Sequence, residues 1–187
     1  MPPKVKITKE DIINASVELV RKNGMQAINA RAIASALHCS TQPIFSNFAT
    51  VGQLQEAVVQ SAYERYLAFL RKEAESGSYP QYKAFGMAYI RFAKEEKQLF
   101  QLLFMRDRTG EELTRGPDFE ASVELIRASN GIRRESAEQI HLEMWACVHG
   151  IATMFATSFL ALEWDLISEM LTDVYQGIRA RHIEKEE

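Results

Sequence analysis

The stretch Asn29–Leu54, NARAIASALHCSTQPIFSNFATVGQL, decides the fold because it reads as two short helices joined by a tight turn. The spacing predicts a first helix over residues 30–37, with Asn29 accepting an orphan amide hydrogen at its start. A second helix is predicted over residues 41–47. A small helix pair of this kind is typical of a helix-turn-helix, whose second helix enters the major groove of DNA.

The second helix supplies the predicted DNA-reading surface. We expect Ser40 to cap it, and Pro43 lies in its first turn, where no intrahelical N–H is needed. Ile44 and Phe48 point inward at i, i+4. The side chains predicted to contact DNA on this helix and at its start are Ser40, Thr41, Gln42, Phe45, Ser46 and Asn47.

Basic side chains outside this helix extend the predicted DNA surface. Arg31 lies on the preceding helix, and Lys4 and Lys6 form a basic arm before the first one. Residues 1–50 carry six basic and three acidic side chains, a net charge of +3, whereas the remaining 137 carry 16 and 22, a net charge of −6. A basic N-terminal segment followed by an acidic remainder favours phosphate binding by the N-terminal segment.

The helix before this pair completes a compact head. Thr8 with Asp11 resembles an N-terminal capping arrangement, and Gly24 ends the apolar-periodic segment that follows. Long segments of 3.6-residue periodicity fill the rest of the chain. The sequence therefore predicts an all-α fold, in which an N-terminal trihelical helix-turn-helix head (residues 1–50) is joined to a larger helical-bundle C-terminal domain (residues 51–187).

A set of residues in this head resembles the N-terminal signature of tetracycline-repressor (TetR) family transcriptional regulators. The resemblance runs without gaps over residues 8–54. It is carried by Ile12, Ile13, Ala15, Leu19, Gly24, Ala27, Arg31, Ile33, Ala34, Ser40, Ile44, Phe45, Phe48 and Leu54. The resemblance implies a homodimeric regulator that binds a palindromic double-stranded DNA operator and releases it when a small-molecule effector occupies the C-terminal domain.

Three positions depart from the family pattern. His38 stands where the turn usually has glycine, so it must tolerate a left-handed backbone, which His visits more readily than most residues. Phe45 replaces the usual recognition-helix tyrosine and Val51 the usual lysine of the next helix. Both changes remove a polar group that could meet DNA.

The helices after Thr50 are predicted over residues 51–75, 80–92, 95–106, 118–129, 134–162 and 163–183. The body they form is rich in large apolar side chains, which at helical spacing are more often core than ligand contacts. Polar groups on the helix over 134–162 favour a pocket. The predicted ligand-binding residues are Phe100, Phe104, Met144, Trp145, His149 and Phe155.

Two helix faces are candidates for pairing subunits. Small residues (Ala146, Gly150, Thr153 and Thr157) follow one side of the penultimate helix. The last helix carries an apolar stripe of Trp164, Ile167, Met170, Leu171, Val174 and Ile178. Such helices from two subunits would form a four-helix interface, although the stripe could instead cover its own core.

Enzymatic function is not indicated. No two of the four histidines are spaced i, i+3 or i+4, and no nucleophile-elbow, Walker or dinucleotide motif occurs. We expect no catalytic residue, metal or cofactor. The two cysteines suggest no disulfide framework, and neither a signal peptide nor a membrane-length apolar run is present, which favours a cytoplasmic protein.

Taken together, the sequence predicts a ligand-responsive transcriptional regulator, most simply a repressor, with duplex DNA, a second copy of itself and an unidentified small molecule as partners. The alternative is a helical ligand- or protein-binding module whose head no longer recognises an operator.

Overall fold

The all-α prediction is confirmed by the computed structural model, which describes residues 7–75, 77–107, 109 and 117–184. Within these ranges the chain forms nine α-helices and one short 3-10 helix (Met25–Ala27), with no strand. The helices are α1 Lys9–Asn23, α2 Ala30–Ala36, α3 Gln42–Asn47, α4 Val51–Ala74, α5 Gln81–Glu95, α6 Lys97–Phe104, α7 Pro117–Asn130, α8 Arg134–Ala156 and α9 Trp164–Glu184.

The helices group into two compact units that do not follow chain order. The first contains the described residues up to Ala68 together with Glu96–Arg106, so that α6 joins the head helices and most of α4. The second contains Phe69–Glu95 and the described residues from Asp107 onward.

In the first unit, α1 begins with the capping box that the sequence predicts. The Thr8 amide donates to Asp11 Oδ2 at 2.8 Å, and the Asp11 amide donates to Thr8 Oγ1 at 3.1 Å. The two exchanged bonds satisfy amide groups that a helix start otherwise leaves unpaired. The core beneath α1, α2 and α3 is apolar and consists of Ile12, Val17, Val20, Ile33, Ala34, Ile44 and Phe48.

The turn between α2 and α3 depends on the backbone of His38. Asn29 caps α2 by accepting from the Ala32 amide at 2.9 Å. At the other end His38 has φ 52°, and the amides of His38 and Cys39 donate to the carbonyls of Ser35 and Ala34. This is a Schellman ending with a histidine in the position usually held by glycine.

The predicted cap of α3 was wrong in its detail. The residue at the N-cap is Thr41 rather than Ser40, and its side chain makes no capping hydrogen bond. Pro43 lies in the first turn of α3, as predicted. Because proline has no amide hydrogen, that turn has one donor fewer to satisfy.

Two ion pairs tie the longer helices of the first unit to α1. Arg21 near the end of α1 pairs with Glu96 just before α6, with Nε 2.6 Å from Oε2. Arg65 of α4 donates to Glu18 of α1 at 2.6 Å. These contacts hold α4 and α6 against the helix that supports the recognition pair.

In the second unit, α5, α7, α8 and α9 surround a common core. Gly86 of α5 allows this close packing, because a Cβ there would lie 3.3 Å from Val148 and 3.5 Å from Leu171. The α8 side of the core includes Ala137, Ile140, Met144, Val148, Ile151, Ala152 and Phe155, and the α9 side includes Ile167 and Leu171.

Helix α8 ends six residues before its predicted end. The amides of Ser158 and Phe159 donate to the carbonyls of Phe155 and Met154, and Ser158 has φ 57°. The chain thus makes a second Schellman ending, here with serine. The apolar run through residue 162 gave no sequence signal for this break, and it leaves Phe159 79% exposed instead of on a helix.

No helix in the described part of the chain is both long and apolar enough to cross a lipid bilayer.

Candidate functional site

Helix α3 presents one face to solvent and buries the other. Ile44 and Phe48 are buried, as their spacing predicts, whereas Gln42, Phe45 and Ser46 are exposed. Because residues three and four apart share a helix face, these three exposed side chains form one short surface. We call Gln42, Phe45 and Ser46 the recognition face.

The polar side chains of α3 differ in whether they hydrogen-bond to backbone carbonyls of their own helix. The Ser46 hydroxyl donates to the Gln42 carbonyl at 2.9 Å, and the Asn47 amide nitrogen donates to the Pro43 carbonyl at 2.8 Å. Asn47 is also half-buried, whereas Gln42 is exposed. Gln42 is therefore the amide side chain best placed to reach a base edge.

The other residues predicted to meet DNA lie around this face. Arg31 on α2 and Ser40 before α3 are exposed, and Thr41 at the N-cap is half-buried. Lys4 and Lys6 lie outside the described residues. The first unit thus carries an exposed guanidinium one helix away from the recognition face.

A small apolar hollow of about 20 Å³ lies beside the recognition face. Its exposed apolar members are Phe45, which is 61% exposed, and Val51, which is 52% exposed, and the polar residues Asn29 and Thr50 are exposed as well. The lining residues besides Phe45 and Val51 come from the starts of α2 and α4 and from the core below, and are Ile28, Asn29, Ala30, Ile44, Phe48, Thr50 and Leu54. The sequence analysis treated Phe45 and Val51 as lost polar contacts and gave no signal that they share a hollow.

Two of the predicted ligand residues are packed within the first unit. Phe100 is fully buried, and its ring lies 5.1 Å from that of Phe104. Phe104 in turn meets Tyr66 of α4 edge-on at 5.0 Å. Offset and edge-on aromatic pairs of this kind stabilise a core.

The other four predicted ligand residues lie on α8 in the second unit. Met144 and Phe155 are buried, His149 is half-buried and Trp145 is 49% exposed. The Trp145 and His149 rings stack at 5.0 Å with an interplanar angle of 12°. The structure therefore joins Trp145 and His149 directly and places the indole at the surface.

Two tyrosines that were not predicted from the sequence contact the α8 histidines. The hydroxyl of Tyr89 lies 2.9 Å from Nδ1 of His149, and that of Tyr82 lies 3.0 Å from Nδ1 of His141. Burial lowers the pKa of both histidines and raises the pKa of both tyrosines. All four groups are thereby held neutral near pH 7. The i, i+7 spacing of Tyr82 and Tyr89 on α5 was the sequence signal that could have indicated these two contacts.

A second polar cluster joins α8 to the end of α9. Buried His182 lies with Nε2 3.0 Å from Oε1 of Glu143, and Arg181 also pairs with that carboxylate. The hydrogen bond from His182, with the charge of Arg181, holds the pKa of Glu143 below its usual value. The described residues contain no group of three or more His, Cys, Asp or Glu side chains arranged to hold a metal.

Residues 82–175, half of the chain, match the family described as the tetracyclin repressor-like C-terminal domain. The chain belongs to the TetR family. The match covers all but the first residue of α5, the whole of α6, α7 and α8, and the first part of α9, so it is independent of the head residues that carried the resemblance in the sequence. Family membership identifies the chain as a TetR-family transcriptional regulator.

Solved structures share the fold over nearly the whole TetR-family chain. A protein of unknown function from Rhodococcus sp. RHA1 has a TM-score of 0.73 at 20% identity, covering 95% of this chain and 98% of that one. A TetR-like transcriptional regulator from the same organism has a TM-score of 0.67 at 16% identity, with coverages of 94% and 96%.

A third structure, the multidrug binding protein EbrR complexed with imidazole, has a TM-score of 0.60 at 17% identity, with coverages of 88% and 93%. At these identities the likeness concerns the fold. No curated protein matches the chain.

The structure gives an outcome for each of the three departures from the TetR pattern. His38 does adopt the left-handed backbone that the usual glycine would provide. Phe45 and Val51, in place of tyrosine and lysine, line the same hollow.

Proposed function

We propose that this TetR-family regulator binds a palindromic DNA operator as a homodimer, acts as a repressor, and is released by a small molecule bound in its second unit. The observation that carries the DNA-binding half is the recognition face of α3. It is exposed, lies on the helix that follows the Schellman ending of α2, and includes the side-chain amide of Gln42.

The chemistry of each side chain indicates which part of the DNA it can contact. The amide of Gln42 can bond an adenine through N6 and N7, and Arg31 can bond guanine or phosphate. Ser40, Thr41, Ser46 and Asn47 are short polar side chains that suit phosphate or base contacts. Lys4 and Lys6 add charge that attracts any duplex equally.

Two helical glycines support pairing of subunits through α8 and α9. A Cβ at Gly150 or at Gly177 would meet nothing within 4 Å. Glycine inside a helix costs about 1 kcal/mol relative to alanine, and packing within the protomer gives no reason for it here. Leu142 on α8 and Leu166 on α9 are also 46% and 45% exposed. A second copy approaching this surface would use the glycines and cover the apolar side chains.

The apolar stripe predicted on α9 divides between two roles. Ile167 and Leu171 are buried in their own unit, as the alternative in the sequence analysis held. Met170, Val174 and Ile178 are half-buried and would contribute to an interface between copies.

We place the effector on the second-unit residues Met144, Trp145, His149 and Phe155. Trp145 and His149 supply a stacked aromatic surface, and Met144 and Phe155 are apolar. A mostly apolar compound with one polar group suits this set, because few polar side chains orient a ligand in an otherwise apolar site. Helix α4 runs through both units, so a change at its second-unit end can reach the head.

The test begins with DNA binding as a function of salt. A regulator that neutralises six to ten phosphates should lose about 10³–10⁵ in affinity between 50 and 200 mM salt and should prefer sequences enriched from a random pool. Arg31→Ala should reduce the slope. A head that has lost operator recognition would show neither slope nor preference, and the alternative of a protein- or ligand-binding module would then stand.

The effector half is tested by affinity for the enriched duplex with and without a compound that quenches Trp145 fluorescence. Ligand and duplex should weaken each other by the same factor, because coupling between two binding sites is reciprocal. Unchanged duplex affinity in the presence of a bound compound would show that the second unit does not regulate the head through that compound.

A further inference from the structure

The wall of the hollow beside the recognition face is almost wholly apolar, and its exposed residues are the apolar Phe45 and Val51 and the polar Asn29 and Thr50. Phe45 and Val51 are large apolar side chains with more than half of their surface exposed. The two residues lie on different helices, α3 and α4, so their proximity is a property of the folded head.

Both polar side chains of the lining hydrogen-bond to the backbone nearby. The side-chain oxygen Oδ1 of Asn29 accepts from the Ala32 amide, and its side-chain nitrogen Nδ2 donates to the Ala27 carbonyl at 3.3 Å. The Thr50 hydroxyl accepts from the Gln53 amide at 3.2 Å. A water molecule needs two to four polar partners to be held well, so this hollow favours an apolar occupant.

The hollow has room for a small apolar group. Its volume of about 20 Å³ exceeds the roughly 10–15 Å³ that a single water-sized group requires. A methyl group fits this volume, and a phosphate would gain no hydrogen bond from a phenyl ring or an isopropyl group.

We propose that Phe45 and Val51 receive the 5-methyl group of a thymine and so determine a T·A base pair in each half of the operator. Among the base-edge groups in the major groove, the thymine methyl is the apolar one, and phenylalanine is suited to contact it. Phe45 follows Gln42 by three residues on the recognition face, so the thymine lies near the base that Gln42 reads. The inference rests on the proposed binding of DNA.

The presence of Phe45 and Val51 in place of tyrosine and lysine thus serves recognition of a base. A tyrosine hydroxyl or a lysine ammonium at the rim would bring water to the hollow. Phe45 and Val51 instead present only carbon atoms to it, and a contact of this kind specifies sequence rather than adding general affinity for phosphate.

The experiment replaces thymine by deoxyuracil, one position at a time, in the duplex that the full-length protein enriches from a random pool. Deoxyuracil pairs with adenine as thymine does, and the missing 5-methyl group is the only difference between the two bases. We expect one position per half-site at which the replacement weakens binding about fourfold, the value for burying one methyl-sized group.

The residue that contacts the methyl group is identified by measuring how protein variants bind the thymine and the deoxyuracil duplexes. Phe45→Ala should weaken binding to the thymine duplex and abolish the deoxyuracil effect at that position. Gln42→Ala is the matched control, because it should weaken binding while the deoxyuracil effect persists. Phe45 is mostly exposed, so its replacement should leave folding intact, which circular dichroism would verify.

Three results would overturn the inference. Tolerance of deoxyuracil at every position would show that no methyl group is read, and a deoxyuracil effect unchanged in Phe45→Ala would show that another residue reads it. A uniform loss of affinity by Phe45→Ala on all duplexes would place the ring against the sugar–phosphate backbone. Failure to enrich any duplex would instead overturn the proposed function, and this inference with it.

Discussion

The hydroxyl of Tyr89 on α5 lies 2.9 Å from Nδ1 of His149 on α8, where Tyr89 is buried and His149 is half-buried. The same pairing recurs between Tyr82 and His141. A buried imidazole nitrogen without a partner would cost free energy, so each tyrosine satisfies a polar atom within an apolar contact between helices. These two bonds fix how α5 and α8 face each other beneath the Trp145–His149 stack.

Loss of the Tyr89 hydroxyl should destabilise the protein. We expect Tyr89→Phe to lower the free energy of unfolding by about 1–2 kcal/mol, because the His149 nitrogen loses a hydrogen bond while the ring packing is kept. Urea unfolding monitored by circular dichroism measures this. Tyr79→Phe, which retains the ring that Lys83 contacts, is the control and should change stability by less than about 0.5 kcal/mol. Equal effects would indicate that the hydroxyl of Tyr89 contributes nothing specific.

Stability should also fall as the solution becomes mildly acidic. Burial lowers the pKa of His141 and His149 in the folded protein, whereas the unfolded chain titrates near the ordinary value of about 6.5. Between the folded and unfolded pKa values the unfolded state binds more protons, so the free energy of unfolding decreases as pH drops through about 6.5.

Unfolding curves between pH 8 and pH 5 would measure this decrease. Glu143 does not titrate in this pH range, because its pKa in the folded protein is lowered and the stability that it contributes is lost only at more acidic pH. In the double variant His141→Asn/His149→Asn the curve should be flatter over the same window. An unchanged pH dependence in that variant would assign the effect to other groups.

Filling the open position at Gly150 should separate the subunits. A leucine there has room within the protomer, because nothing lies within 4 Å of its Cβ, but it would obstruct a second copy. We expect Gly150→Leu to sediment as a folded monomer at micromolar concentration and to lose most of its operator affinity. The loss follows from geometry, since two heads must lie about 34–36 Å apart, or a multiple of that, to engage both half-sites.

The control for this variant is Ala128→Leu, which adds the same side chain at an exposed position of α7. It should remain dimeric. A dimeric Gly150→Leu protein would place the subunit interface elsewhere.

Replacement of Gln42 should affect one base position. Gln42→Ala is expected to cost about 1–3 kcal/mol on the preferred duplex and to relax preference at a single base pair. Lys4→Ala and Lys6→Ala should instead weaken binding to all duplexes alike and lower the salt slope. Binding to enriched and scrambled duplexes, compared over a range of salt concentrations, distinguishes the two. An equal loss on both duplexes for Gln42→Ala would show that Gln42 reads no base.

Local signals in the sequence were sufficient for the helices of the head. The capping residues Thr8 and Asn29 and the turn at His38 act on amides only a few residues away. Such contacts depend on short stretches of chain, so residue type and spacing predict them. The break after α8 was missed because Ser158 adopts a left-handed backbone that its residue type does not indicate.

The sequence by itself determined the all-α fold, the helix-turn-helix and the identity of the side chains on its outer face, since periodicity and capping act within single helices. The tertiary structure alone decided which helices pack together. It placed α6 with the head through the Arg21–Glu96 pair, joined Tyr89 to His149, and brought Phe45 beside Val51. Each of these contacts joins different helices. Their positions are set by the packing of whole apolar faces, which residue spacing within one helix does not encode.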